Sequence, residues 1–309
     1  MAILGNILNL VSCGLSTVLG TGTKGCKPFL KKVTALSFLP AGFKLDSARI
    51  LNDEYFTELQ ASGKLIHIKG IRTFTDNSSD DSIEEMEDGT KQVTKYGLYD
   101  FLVNFIEGFY FNAALTSLNS FGDYDVIFWD RDGNGLGTKA ANGSLKGFTV
   151  GMIQASRLSW ATDTTLQKEG LAFQLLERGE VDTDYVFIDS ANIDFNPNRK
   201  DGINEVVVSF PSAPVDLAAS ITIKAVTKQD SKPFTGALFT DFIVKKNGIT
   251  ENPTAGDDSV TAGTYILTVA ALATNEVLAA GLYDNALSQA VLNLDGDLYK
   301  SNTATATVV

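Results

Sequence analysis

The first candidate for chemistry is the stretch Asp130–Gly135, which reads Asp-Arg-Asp-Gly-Asn-Gly. Its spacing matches the opening of a calcium-binding loop, in which aspartate and asparagine side chains supply oxygen ligands. Such a loop needs a bidentate glutamate at its twelfth position to complete about seven oxygens, and that position is Ala141 here. Because the flanking residues are typical of strands rather than helices, we expect a tight turn between two strands of a hairpin.

The single histidine, His67, lies in the alternating stretch Lys64–Lys69. A catalytic histidine requires a nucleophile and an orienting acid within reach. The sequence contains no nucleophile elbow of the Gly-x-Ser-x-Gly type. The pattern therefore predicts a partly exposed strand histidine without a catalytic role.

A run of acids forms the third candidate. Seven carboxylates and no basic side chain lie within thirteen residues: Asp76, Asp80, Asp81, Glu84, Glu85, Glu87 and Asp88. They could form a glycosidase pair or a metal cluster only if the fold brought two of them together. The interleaved Asn77, Ser78 and Ser79 indicate an exposed loop instead. Gly20–Gly25 lacks the spacing of a phosphate-binding loop. We therefore predict no enzyme, with no catalytic residue, no metal site and no cofactor.

The composition excludes several classes of protein. One histidine and two cysteines in 309 residues exclude multi-histidine metal sites and disulfide scaffolds, and we expect Cys13 and Cys26 to be reduced. The net charge of −12 argues against binding nucleic acid through a basic face. Residues 1–50 carry six basic side chains and one acid, a balance of +5 that leaves −17 for the rest. A basic arm on an acidic body suits self-assembly, although a solvated surface without a partner explains the same charges.

Residues 1–23 contain no charged side chain, and three interpretations compete. Leu10–Cys13 has the shape of the lipobox of an export signal, but no lysine or arginine precedes it, and Asn6 and Asn9 interrupt the apolar run. A membrane span needs about 20 mostly apolar residues, whereas Gly, Ser, Thr and Asn occur throughout this segment. We favour the third interpretation, an apolar arm that packs on the body or on a neighbouring copy.

Helical periodicity is clearest in Tyr96–Asn119, where apolar residues recur at spacings of three and four: Leu98, Phe101, Leu102, Phe105 and Phe109. This pattern predicts a short helix that passes into extended chain near Gly108. Alternation and β-branched residues predict strands in other parts of the first 200 residues: Leu65–Lys69, Asp125–Asp130, Ser144–Met152, Leu171–Leu176 and Tyr185–Ile188.

The polar stretch Asn196–Asn204 predicts a linker. Seven short apolar segments follow it, separated by turn signals: Glu205–Phe210, Ala219–Val226, Leu238–Lys245, Gly263–Leu272, Gly281–Leu282, Ala290–Leu294 and Thr303–Val309. About seven strands in about 105 residues are typical of an immunoglobulin-like sandwich, here without the cysteine pair and tryptophan of antibody domains. The predicted organisation is an arm over residues 1–30, a β domain over 31–200 and an immunoglobulin-like domain over 201–309.

A more specific pattern lies in the order of several short stretches within residues 30–195: Glu87–Thr90, Tyr96–Gly97, Leu115–Asn119, Val126–Asp130, Gly135, Ser144–Phe148 and Gln167–Leu175. In this order and spacing the chain resembles the tail tube (major tail) proteins of tailed bacteriophages. The resemblance implies a mainly β fold, with a β-sandwich or barrel, one packed helix and a long loop. Some members of the family carry an additional C-terminal immunoglobulin-like domain, which matches the layout here.

The resemblance also implies a function, that of a virion structural protein assembled in the host cytoplasm. Its subunits would form homo-hexameric rings that stack into a tube, and closing the ring would remove exposed strand edges. Double-stranded DNA would pass through the lumen during ejection without specific binding, because an acidic wall repels it. Other virion proteins would contact the tube ends, and no membrane would be involved.

In that family the arm and the long loop would contact adjacent rings. The expected interface residues come from the apolar arm, from the basic pair that follows it and from the acidic run: Ile3, Leu4, Ile7, Leu8, Leu10, Lys31, Lys32, Asp80, Asp81, Glu84 and Glu85. Three other classes stay open. They are a phage neck, ring or capsid-decorating protein, an exported surface protein with an immunoglobulin-like module, and a carbohydrate-active enzyme that uses the acids.

Overall fold

The computed structural model describes residues 30–46, 49, 52–258, 261–285, 290–294 and 297–309. Strands hold 44% of the chain and helices 11%, so the fold is mainly β. The chain divides into two compact units, Met1–Lys200 and Asp201–Val309. The predictions for the apolar arm and for both cysteines lie outside the described residues: Ile3, Leu4, Ile7, Leu8, Leu10, Cys13 and Cys26.

The first unit contains twelve strands and three helices among its described residues. In chain order they are β1 (Val33–Pro40), α1 (Asp53–Ala61), β2 (Ile66–Lys69), β3 (Thr73–Asp76), β4 (Ser82–Glu85), β5 (Lys91–Lys95), β6 (Asp100–Phe105), α2 (Phe109–Thr116), β7 (Tyr124–Asp130), β8 (Gly135–Lys139), β9 (Leu145–Lys146), β10 (Phe148–Ala155), β11 (Glu169–Leu175), α3 (Arg178–Asp182) and β12 (Tyr185–Ile188). The five strands predicted in this unit from alternation are confirmed, because β2, β7, β9 with β10, β11 and β12 overlap them.

Ten of these strands form one antiparallel sheet. Its main path is β12-β8-β7-β10-β11-β6-β3, while β1 pairs with β7 and carries β2, and β9 pairs with β8. The remaining two strands, β4 and β5, form a separate two-stranded sheet. The large sheet folds over on itself, so that β1 and β7 face β6 and β11 across a shared core.

That core is aromatic. The ring of Phe38 in β1 meets the ring of Phe173 in β11 edge-on at 6.1 Å between centroids. Phe128 in β7 meets Phe101 in β6 at 5.5 Å. Burial of each such side chain stabilises the fold by about 1.5–3 kcal/mol, and edge-to-face rings add to this.

The opposite face of β1 and β7 carries α1. Alternation along these strands places Ala35, Leu39, Ile127 and Trp129 on this face, where they pack in one buried cluster with the apolar side of the helix, Tyr55, Phe56 and Leu59. The helix follows Asn52 and has acids in its first turn, as the positive end of a helix dipole favours. The sheet therefore has a buried cluster on each face.

The helix predicted over Tyr96–Asn119 is wrong in its first half. Residues Asp100–Phe105 form β6, whose alternate residues are buried, because strands on both sides offer it hydrogen bonds. The helix begins only at Phe109, after Gly108 with φ +97°, a conformation that residues with a Cβ rarely adopt. Leu115 and Leu118 at its end close the aromatic core.

The second unit contains ten strands among its described residues. They are β13 (Ile203–Ser209), β14 (Ser220–Thr227), β15 (Phe242–Lys246), β16 (Ile249–Thr250), β17 (Ala255–Asp258), β18 (Thr264–Thr268), β19 (Val277–Leu282), β20 (Leu292–Leu294), β21 (Asp297–Ser301) and β22 (Ala304–Thr307). The seven predicted segments all overlap strands, and β16, β17 and β21 come in addition.

These ten strands form two sheets, with the orders β17-β18-β14-β13-β21-β20 and β16-β15-β19-β22. Both sheets contribute to a single buried cluster, in which Phe242 of one sheet lies 4.8 Å from Tyr265 of the other. The Tyr265 hydroxyl donates a hydrogen bond to the Phe234 carbonyl at 2.8 Å, so its polar end is satisfied inside the core. The second unit is therefore a β-sandwich.

Candidate assembly surface

The acidic run of the sequence forms most of an exposed hairpin. Strands β4 and β5 pair only with each other, and every residue of both strands is exposed. The register places Ile83 opposite Val93 and Glu85 opposite Lys91, so these four side chains share one face. The predicted exposed loop is thus corrected in its form, because cross-strand hydrogen bonds order the segment into strands.

The hairpin tip is a short turn built around Asp88. The Asp88 carboxylate accepts hydrogen bonds from the Thr90 hydroxyl at 2.6 Å and from the Thr90 backbone N–H at 2.9 Å, and these bonds lower its pKa. Gly89 has φ +82°, as the last position of such a loop requires. The tip is therefore preformed by local contacts.

The hairpin base is held by Asp81. Its carboxylate accepts a hydrogen bond from the Gly97 N–H at 2.9 Å and pairs with the guanidinium of Arg178. The backbone hydrogen bond and the arginine hold the pKa of Asp81 below its usual value. Gly97 itself has no space for a side chain, since a Cβ there would lie 1.8 Å from the Ser79 carbonyl oxygen.

Helix α3 completes this anchor. Arg178 also pairs with Asp182 at 2.7 Å, and Asp182 accepts a hydrogen bond from the Tyr99 hydroxyl. This bond and burial raise the pKa of Tyr99 to about 12. Asp81, which the sequence singled out, therefore belongs to a network with Arg178 and Asp182 that no local pattern around residue 81 announced.

The other predicted interface residues divide into two groups. Glu84 and Glu85 lie on the exposed hairpin, where Glu85 pairs with Lys91 at 3.9 Å. Lys31 pairs with Asp132, and Lys32 donates to the Arg72 carbonyl at 2.7 Å.

Lys31 and Lys32 line an apolar cavity of about 330 Å³ at one end of the folded-over sheet. Its walls are mainly side chains of the aromatic core, including Phe74, Phe101, Phe128 and Phe148. A second, polar cavity of about 520 Å³ lies at the hairpin base and includes Asp80 and Asp81. Both cavities share Asp76 and Tyr99, so the basic pair and the base of the acidic hairpin are neighbours at this end of the unit.

The other end of the unit carries an exposed aromatic pair, Phe109 and Trp160, whose ring centroids lie 5.7 Å apart. Phe109 is 56% exposed and Trp160 is 64% exposed. Beneath them the buried carboxylate of Glu169 accepts a hydrogen bond from the Glu107 N–H at 2.9 Å. Burial alone would raise the pKa of Glu169, but the hydrogen bonds that it accepts hold it below its usual value. No sequence prediction included this pair.

His67 is buried, so its prediction as a partly exposed residue is wrong. Its Nε2 donates to the Pro197 carbonyl at 2.7 Å, while its Nδ1 lies 2.9 Å from the Ser37 hydroxyl. Ser37 in turn accepts from the Trp129 indole N–H at 2.8 Å. The ring packs against Phe56 at 5.2 Å. These contacts give His67 a structural role between β1, β2 and α1.

The stretch Asp130–Gly135 is the turn between β7 and β8, so the hairpin prediction is confirmed. The buried Asp130 carboxylate accepts hydrogen bonds from the backbone N–H groups of Asp132 and Asn134, both at 2.8 Å. It also accepts from the Asn134 side chain at 3.0 Å and from the Lys31 N–H at 3.1 Å. Its oxygens are thus engaged by four donors of the chain.

Two further buried acids were examined as chemical groups. Asp125 is fully buried, and burial raises its pKa, which the nearby Lys146 opposes. Lys146 itself pairs with Glu180 at 2.6 Å. Within the described ranges, no group of three or more histidine, cysteine, aspartate or glutamate side chains is arranged to hold a metal ion. In the same ranges, no helix has the length and apolar character needed to cross a membrane.

Comparison with known proteins identifies no family. No family model matches the chain, and no curated protein matches it. One solved structure with some similarity is SGBP-B of the Bacteroides ovatus mixed-linkage glucan utilization locus, in complex with a mixed-linkage heptasaccharide. The match has 11% sequence identity and a TM-score of 0.20, and it covers 90% of this chain and 61% of that chain. The chain thus spans less than two thirds of that protein, and a TM-score this low carries no argument about fold or function.

Proposed function

We propose that this chain is a structural subunit of a phage tail tube, in which hexameric rings stack around a lumen that conducts DNA. The observation that carries the proposal is the β4–β5 hairpin, which is exposed along its whole length. A two-stranded hairpin alone is marginally stable in water, so an anchored, outward hairpin gains most of its stability when a neighbouring subunit covers it.

The face of the hairpin fits such a contact. Ile83 is 62% exposed and Val93 is 38% exposed, and they lie opposite each other. The charged side chains of Glu85 and Lys91 lie beside them on the same face. An apolar centre with a charged rim is the usual anatomy of a protein interface.

The charge balance supports a conduit rather than a nucleic-acid binder. The chain carries −12 overall, and −17 beyond residue 50. A wall of like charge keeps DNA from adhering while it passes, whereas a binding groove would need clustered basic side chains. The partners of the proposed subunit are thus other copies of the chain, other virion proteins at the tube ends and passing double-stranded DNA.

Negative-stain electron microscopy of the purified full-length chain tests the proposal. We expect hexameric rings and tubes with a regular axial repeat. Closed rings that never stack would favour a neck, ring or capsid-decorating protein instead. A chain that stays monomeric at tens of micromolar would contradict assembly altogether. Mass spectrometry of the native N-terminus separates the surface-protein alternative, which requires cleavage before Cys13.

A further inference from the structure

We propose that the aromatic pair of one copy, Phe109 and Trp160, docks into the apolar cavity of the next copy in a head-to-tail contact. The inference deepens the proposed function, on which it rests for the ring itself, because it names the contact that stacks one ring on another. The evidence lies in the two ends of the first unit.

The aromatic pair is built to protrude rigidly. Trp160 lies on the tip between β10 and β11, where Ser159 and Lys168 exchange two backbone hydrogen bonds of 3.0 Å. Phe109 opens α2, which the buried carboxylate of Glu169 anchors through the Glu107 N–H. Two large apolar rings held in this way lose little conformational freedom on docking, and tryptophan is enriched among residues that dominate binding.

The cavity has the size and chemistry to receive these rings. It measures about 330 Å³, whereas an engineered cavity of about 150 Å³ accommodates benzene. Its walls are aromatic and aliphatic, and its rim carries Lys31, Lys32 and Asp76. Apolar cavities of about 300 Å³ or more with a few polar groups are typical binding sites.

The cavity and the aromatic pair lie at opposite ends of the same strands. Phe101 near the start of β6 and Leu175 at the end of β11 line the cavity. Glu169 at the start of β11 pairs with Phe105 at the end of β6, beneath the aromatic pair. At about 3.3 Å per residue the two ends are roughly 20 Å apart. A contact that joins opposite ends is heterologous, so each copy leaves one free cavity and one free aromatic pair, and the contact repeats along an axis.

Photo-crosslinking of the full-length chain tests the contact directly. p-Benzoylphenylalanine replaces Trp160, and the protein is mixed with ¹⁵N-labelled copies so that mass spectrometry separates links between copies from links within one copy. We expect links between copies to the cavity walls, at Leu136, Leu175 or Val181. Links only to the aromatic end of the other copy, or only within one copy, would overturn the proposal. A link to the segment before Leu30 would assign the cavity to that segment and also overturn it.

A pair of variants provides the second readout. Phe109→Ser combined with Trp160→Ala is expected to weaken association along the axis at least tenfold, measured by sedimentation velocity, while hexameric rings persist. Ile249→Ser in the second unit is the matched control, because Ile249 is also an exposed large apolar residue. Axial growth unchanged by the double substitution would overturn the head-to-tail contact. Wild-type chains that form neither rings nor tubes would contradict the proposed function, whereas links between copies to the cavity walls would still support the contact.

Discussion

The carboxylate of Asp81 accepts a hydrogen bond from the backbone N–H of Gly97, 2.9 Å away. These residues flank the β4–β5 hairpin, so the bond closes the hairpin at its base and sets the direction in which it leaves the body. Arg178 holds the same carboxylate from α3. The hairpin is therefore a rigidly aimed element, although nothing in the described part of the chain covers its strands.

Gly97→Ala is expected to destabilise the first unit by about 1–3 kcal/mol, the usual cost of forcing an extra methyl group into a packed site. The new Cβ would lie 1.8 Å from the Ser79 carbonyl oxygen, so backbone must move. Urea unfolding measures the change. Gly202→Ala is the control, because a Cβ at Gly202 meets nothing within 4 Å. Equal stability of both variants would show that the two strand ends can separate without cost.

The hairpin base is expected to loosen in acid. The pKa of Asp81 in the folded chain lies below its ordinary value of 3.8, so the ionised carboxylate stabilises the base at neutral pH. That stabilisation is lost as the pH falls below 3.8 and through the folded pKa. Amide hydrogen exchange of β4 and β5 between pH 7 and pH 3 follows the change. Asp81→Asn should exchange fast at both pH values, whereas Asp80→Asn should retain the wild-type profile.

Ser37→Ala is expected to cost about 1–3 kcal/mol of stability, because it leaves buried polar groups of Trp129 and His67 without their partner. Thermal or urea unfolding of the full chain measures the loss. The exposed Ser82→Ala serves as the control and should change the free energy of unfolding by less than about 0.5 kcal/mol. A neutral Ser37→Ala would mean that water replaces the hydroxyl.

Ile83→Ser combined with Val93→Ser is expected to reduce assembly at least tenfold without lowering the melting temperature. Both side chains are exposed in the free chain, so only an interface loses apolar contact. Analytical ultracentrifugation measures assembly, and scanning calorimetry measures stability. Gln92→Ala, on the opposite face of the hairpin, is the control. Intact tubes from the double variant would remove the hairpin from the interface.

Deletion of residues 1–26 is expected to leave a soluble, folded monomer that no longer forms tubes. The buried clusters of the first unit begin at Val33, and the uncharged segment was predicted as an assembly arm. Circular dichroism checks the fold and electron microscopy checks assembly. Tubes from the shortened chain would refute the arm.

The strands were predictable where burial alternates, as in β7 and β14, since period-two patterning is a property of the local sequence. The segment Asp100–Phe105 deceived because Phe101 and Phe105 fit a helical spacing as well as alternation. Only the pairing of β6 with β3 and β11 decides between the two. Helix α1 was missed because it is short and owes its stability to packing on the sheet.

The candidate surface was predictable only in part. The acidic run marked the hairpin, but the partner of Asp81 lies 97 positions away at Arg178. The burial of His67 depends on Ser37 and Pro197, which come from distant parts of the chain. Such contacts are set by the topology, and a single sequence contains no local signal for them.

The parallel pairing of β13 with β21 has a consequence for folding kinetics. Ile203 at the start of the second unit lies beside Leu298, about 95 positions later in the chain. Closing a loop of that length precedes any stabilising contact, so the sheet order favours slow folding. During synthesis β13 has an unpaired edge until residue 301 has left the ribosome. Chains interrupted before that point expose a strand edge, which makes them prone to aggregation.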